Sequence, residues 1–159
     1  MSGPSKTPQD ERSIAGLRFA IIAAHFNAHV VDRLLDGALR TLAGEGVRAE
    51  TVDVIRVPGA FEIPMAVKRV AAGRGYDAVI ALAAVIRGET PHFDYVASEC
   101  ARGVMQAMLD TGVPVGFGVL TCDNLEQAQA RAGGAAGNKG ADAARAAMEM
   151  AGLLQRLAD

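Results

Sequence analysis

Tryptophan is absent from this chain, and only five Phe and two Tyr are spread over its 159 residues. A core organised around a few large rings is therefore excluded. The abundant alanine and the 18 glycines favour elements that approach one another closely. Excess positive charge is also missing, since 16 Lys and Arg stand against 18 Asp and Glu for a net charge of -2. Gripping a phosphate backbone needs a basic face, so nucleic acid is not an expected partner. No apolar run is longer than a strand, and the opening "MSGPSKTPQDERS" is polar where a secretory signal would be apolar. The expectation is a cytoplasmic protein with no membrane contact. The two cysteines, Cys100 and Cys122, form no C-x-x-C pair. That excludes a zinc knuckle or a disulfide framework and leaves reduced thiols in the core.

What is present fits one globular domain: half of the residues are apolar and 21% are charged. Residues 1–15 read as a flexible tail and 16–159 as the domain. "LRFAIIAA" at 17–24 has strand length, and from Val30 the period becomes helical, with Val31, Leu34, Leu35, Ala38, Leu39 and Leu42 on one face before Gly44 and Gly46. "VRAETVDVI" at 47–55 reads as a second strand and about 62–72 as a helix. "YDAVIALAAVI" at 76–86 is apolar on both faces, as a central parallel strand is. A helix over about 94–111 is expected to turn Val96, Cys100, Val104, Met105, Met108 and Leu109 inward. "VPVGFGVLT" at 113–121 reads as the fourth strand, followed by helices at about 124–132 and 138–157 around the glycine-rich "AGGAAGN".

Strands and helices thus alternate, which predicts an α/β domain with a four-stranded parallel sheet between helical layers. Such sheets bind ligands outside the carboxyl ends of the strands, so the strand-to-helix loops should gather there. Phe26 in the first loop is either a stacking platform for a flat heterocycle or a core-edge ring beside a capping Asn27. In the second loop, Pro58 and Gly59 let a ligand approach the main chain near Phe61 and Glu62; Glu62 also suits a helix start electrostatically. The third loop, "IRGETPHF", leads through Glu89 and Thr90 into a helix start whose amides favour an anion. It also carries His92, a residue type suited to proton transfer near neutral pH, or alternatively a cap. Arg131, just before the glycines, is suited to bidentate phosphate binding, with Lys139 as a weaker cation. Each also has a plain structural reading, as a partner of the helix dipole or a solvated charge.

Two nucleotide motifs fail. "GGAAGNKG" has no hydroxyl residue after its lysine, and "GFGVLT" lacks the third glycine of a dinucleotide fingerprint. His25 and His29 have ligand spacing but no third ligand, so no metal is expected.

Taken together, "FN" at 26–27, "VPGAFEIP" at 57–64, "AVIRGETPHFDYV" at 84–96, "PVGFGVLT" at 114–121, "QAQARAG" at 127–133 and "GNKGADAA" at 137–144 resemble the lumazine synthase family of riboflavin biosynthesis. The resemblance runs from about Leu17 to Leu157. It implies a three-layer, flavodoxin-like α/β/α fold and an enzyme without metal or organic cofactor. The implied reaction condenses 5-amino-6-(D-ribitylamino)uracil with 3,4-dihydroxy-2-butanone 4-phosphate to 6,7-dimethyl-8-ribityllumazine. By the same resemblance Phe26 stacks on the pyrimidine, Ala60, Phe61 and Glu62 hold the ring and the ribityl chain, and Ala84, Val85 and Ile86 offer backbone groups. Glu89, Thr90 and Arg131 meet the phosphate, His92 transfers protons, and Phe117 reaches the site from a neighbouring subunit. Lys139 is a weaker candidate for the same area.

The implied assembly is a homopentamer with sites between subunits, in some members closed into a 60-subunit icosahedral shell, and riboflavin synthase is an implied associate. Two positions depart from the pattern: Ala83 where glycine is usual, and Ala135 where many members carry lysine. "RAGGAAGN" carries no insertion of the kind that goes with smaller assemblies, so a shell is allowed. The alternatives are a flavin- or lumazine-binding paralogue with little turnover and a monomeric flavodoxin-like binding module.

Overall fold

The computed structural model describes residues 14–73 and 75–158. Four strands, β1 (Phe19–Ala24), β2 (Val52–Val57), β3 (Ala78–Ile86) and β4 (Val115–Cys122), form one parallel sheet in the order β2-β1-β3-β4. The helices are α1 (Ala28–Gly44), α2 (Ile63–Ala72), α3 (His92–Thr111), α4 (Leu125–Ala130) and α5 (Lys139–Leu157). This is the three-layer flavodoxin-like arrangement. Of the expected tail, residues 1–13 lie outside the described residues, while Ile14 packs against the core.

Strand alternation sorts the core into two layers. Phe19, Ile21, Ile80, Leu82 and Leu120 face α1 and α5, whereas Ala20, Ile22, Val79, Ala81 and Val119 face α2 and α3. Each fully buried Phe, Ile or Leu contributes about 1.5–3 kcal/mol of transfer free energy. β1 and β3 are buried on both faces because helices cover both.

The glycines of "GFGVLT" are there for packing. A methyl on Gly116 would overlap the carbonyl of Ala143 in α5, and one on Gly140 would overlap the carbonyl of Leu34 in α1. The alanine face of α5 (Ala143, Ala144, Ala147, Ala151) lies close to the sheet for the same reason.

Three expectations change. β2 starts at Val52 because Thr51 turns back on Arg48, its backbone N–H and its hydroxyl both donating to the Arg48 carbonyl at 3.0 and 2.8 Å. "AGGAAGN" is a small antiparallel hairpin, β5 (Ala132–Gly134) against β6 (Gly137–Asn138), with Gly133 and Gly137 at φ 98 and 86. On α3 only Cys100, Val104 and Ala107 are buried, and Met105 and Leu109 are 51% and 72% exposed.

Candidate active site

β1 and β3 lie side by side, and the chain leaves them in opposite directions across the sheet, so the switch point falls between their carboxyl ends. A cavity of about 650 Å³ opens there, a size that suits a small-molecule site. Its wall is mostly apolar, with Phe26, Phe61, Ala84, Val85 and Phe93 among its residues and Glu62, Thr90, His92 and the hydroxyl of Tyr95 as the side-chain polar groups. Phe26 is 70% exposed, so its ring faces the opening and not the core.

Local hydrogen bonds set this wall. The N–H groups of His25 and Phe26 donate to the carbonyls of Val57 and Pro58, joining the first loop to the second. Asn27 takes a left-handed backbone at φ 59, and its amide donates 2.8 Å to the Ala84 carbonyl. Its side chain therefore ties the first loop to the end of β3 and does not cap α1. Ala60, Phe61 and Glu62 form a 3-10 turn that enters α2.

His92 is the first residue of α3, two residues earlier than expected. The capping position, Pro91, offers no side-chain acceptor, and the His92 N–H makes only a long hydrogen bond of 3.5 Å to the Thr90 hydroxyl. The start of α3 thus presents amide donors at the cavity rim. Glu89 is exposed beside Gly88 and Thr90, which line the cavity.

Behind the rim, Arg87 donates to Asp123 at 3.1 Å and to Asp94 at 3.3 Å, and its guanidinium lies 4.3 Å over the Phe93 ring. The hydrogen bond to Asp123 raises its pKa further above the ordinary arginine value.

A second cavity of about 340 Å³ lies beside α5 and holds Thr121, Cys122, Arg131, Lys139 and Asp142. Arg131 caps the end of α4 and donates 3.0 Å to the Gln127 carbonyl, leaving the guanidinium exposed. The Lys139 N–H donates to the Arg131 carbonyl, which holds the two cations' backbones together. Burial raises the pKa of the Cys122 thiol, partly opposed by Arg131.

A family model for 6,7-dimethyl-8-ribityllumazine synthase matches residues 16–155. A relative of that name from Halorhodospira halophila is 59% identical over 140 residues, 88% of this chain and 90% of the relative. Those from Nitratidesulfovibrio vulgaris and Desulfotalea psychrophila are 50% and 56% identical over 152 and 142 residues, or 96% and 89% of this chain and 97% and 92% of theirs. The chain belongs to the 6,7-dimethyl-8-ribityllumazine synthase family.

In this lumazine synthase-family chain the expected site residues divide between the two cavities. Phe26, Ala60, Phe61, Glu62, Ala84, Val85, Ile86, Thr90 and His92 share the first, while Arg131 and Lys139 share the second. Phe117 lines neither. It sits half-buried in mid-strand opposite Ala81, three positions before the Leu120 that pairs with Ala84. The sequence reading missed Phe93 and Tyr95 in the first cavity; each stands within three residues of His92, and that was the available signal. Ala83 is fully buried against the α2/α3 layer, and Ala135 is exposed at the hairpin turn. Asn138 of "GNKG" is structural: its side chain accepts from the Ala141 N–H and donates to the Arg33 carbonyl. Among the described residues no three His, Cys, Asp or Glu side chains are grouped to hold a metal, and no helix is long and apolar enough to cross a membrane.

Proposed function

We propose that the active site of this lumazine synthase is made from both cavities, the first from one subunit and the second from its neighbour. The enzyme is a transferase that condenses 5-amino-6-(D-ribitylamino)uracil with 3,4-dihydroxy-2-butanone 4-phosphate to 6,7-dimethyl-8-ribityllumazine, releasing phosphate and water. One observation carries the two-subunit reading: the first cavity has aromatic faces and a histidine but no Arg or Lys, and the second has two cations but no aromatic ring. A flat pyrimidine and a phosphate dianion need both sets.

On this reading Phe26 stacks on the pyrimidine, Ala60, Phe61 and Glu62 hold the ring and ribityl chain, and the main chain of Ala84, Val85 and Ile86 meets the ring edge. Glu89 and Thr90 present the amide-rich start of α3 to the phosphate, while the neighbour's Arg131 pairs with it and its Lys139 adds a charge. Phe117 also reaches the site from the neighbouring subunit. The substrate amine attacks the butanone carbonyl to give an imine with loss of water. Phosphate then leaves, drawn by the cations. The enol left behind becomes a ketone, the ribitylamino nitrogen closes the ring on that carbonyl, and loss of its oxygen as a second water completes the lumazine. His92 carries the protons these steps exchange, and the remainder of the catalysis is positioning.

The exposed face of α3 supports the assembly. Tyr95, Met105 and Leu109 recur at helical spacing and are 68%, 51% and 72% exposed, a stripe left largely uncovered among the described residues. A homopentamer covers it, and twelve of these close the 60-subunit shell that the uninserted hairpin allows. A cytoplasmic enzyme keeps thiols reduced, and the two buried, unpaired cysteines Cys100 and Cys122 are in keeping with that location. Riboflavin synthase, which takes the lumazine product, is the expected associate.

The test mixes both substrates with the protein, follows lumazine absorbance against the uncatalysed rate, and sizes the protein by light scattering. Lumazine and phosphate released in equal amounts by an oligomer support the reading. Background-rate formation, or full activity in a monomer, overturns it.

A further inference from the structure

We propose that Arg87 is a positioning residue that fixes where His92 stands. The His92 side chain is exposed and makes no hydrogen bond among the described residues, so its place is set by the backbone that carries it. That backbone is the first turn of α3, and Arg87 grips it at two adjacent points. The guanidinium donates to the Asp94 carboxylate at 3.3 Å and lies 4.3 Å over the ring of Phe93, a cavity residue.

The other end of the grip is rigid. The Arg87 N–H continues the β3–β4 ladder, donating 2.8 Å to the Cys122 carbonyl, and its Nε donates 3.1 Å to Asp123 just past β4. Asp123 is itself held, its N–H donating 2.8 Å to the Gln127 side chain. One planar group thus ties the start of the His92 helix to the end of the sheet. A planar fork that spreads its donors over separate nitrogens and offers a flat face to Phe93 serves this geometry, and a lysine ammonium, with all its donors on one nitrogen, has neither the spread nor the face. These ion pairs are exposed and add little to global stability, so losing them leaves a folded protein.

This inference rests on the reading of His92 as the proton carrier. The test is a double-mutant cycle on the assembled enzyme with Arg87→Ala, His92→Ala and both together, measuring kcat and the KM for each substrate. Arg87→Ala is expected to lower kcat about tenfold with the pyrimidine KM changed less than twofold. It should have almost no further effect once His92 is alanine. Arg87→Lys should fall between wild type and Arg87→Ala, and Asp94→Asn should give a smaller loss of the same kcat type. If Arg87→Ala fails to assemble, Asp94→Asn takes its place in the cycle and must lose its effect in the His92→Ala background. A normal loss for His92→Ala combined with an equal Arg87 or Asp94 effect in both backgrounds overturns the positioning role alone. An unchanged kcat for His92→Ala overturns the proton role and the positioning with it.

Discussion

The cavity at the switch point and the cavity beside α5 lie at the same end of one sheet, yet they share no residue and almost no chemistry. The first is bounded by α3 and by loops that hydrogen bonds from His25, Phe26 and Asn27 hold together. The second is bounded by the end of β4, from Val119 to Cys122, and by a hairpin that needs two left-handed glycines. The first offers aromatic faces and the second offers two cations. On the proposed reading each is a half-site completed by a neighbouring subunit, and assembly becomes part of the chemistry.

This contrast can be broken most severely at the α3 stripe. Leu109→Asp, with Met105→Glu if needed, puts charge on the proposed subunit contact. Light scattering should then show small species, and lumazine formation should fall close to the uncatalysed rate; full activity in a monomer would refute the division. A sharper cut separates the halves. Arg131→Ala should raise the KM for the butanone phosphate about 10- to 100-fold, the equivalent of losing one charge-assisted hydrogen bond of about 1.5–3 kcal/mol, while the pyrimidine KM stays level. Phe26→Ala should do the reverse, raising the pyrimidine KM about tenfold, as expected when a stacking face of about 1–3 kcal/mol is removed. If both substitutions moved both constants equally, the two cavities would not be chemically distinct.

The smallest effect lies in the core under α3. Burial pushes the Cys100 thiol up to about 11 from its ordinary 9.0. The folded chain keeps this proton where the unfolded chain releases it, so the contribution is full below pH 9 and is lost as pH rises towards 11. Thermal melts across that window should decline less steeply for Cys100→Ala than for the wild type; parallel declines would show that the thiol titrates alike in the folded and unfolded states.

The sheet was legible because its strands are apolar runs bounded by loops, and "AVIALAAVI" could hardly be anything but a central strand. The order of the loops at its carboxyl end followed from topology. Periodicity, however, marks an apolar face without saying what covers it, and so Met105 and Leu109 were expected in the core and are at the surface. The same rule that gathers loops at one end of a sheet does not tell which cavity each loop serves, and Arg131 and His92 line separate ones. The glycines of the hairpin read as a break between helices, since two or three paired residues leave no alternation to see. Arg87 went unnoticed beside His92 because its partners, Asp94 and Asp123, are brought together only by the β3–β4 pairing.

The most direct measurement of the two-subunit site mixes Phe26→Ala subunits with Arg131→Ala subunits, unfolds and reassembles them together, and assays lumazine formation. Each variant alone should keep about a tenth or less of the activity at low substrate, whereas random mixing should restore roughly a quarter of the wild-type sites, because some interfaces then join an intact first cavity to an intact second. Mixed oligomers no more active than the separate variants would contradict the account and place both cavities' work within one chain.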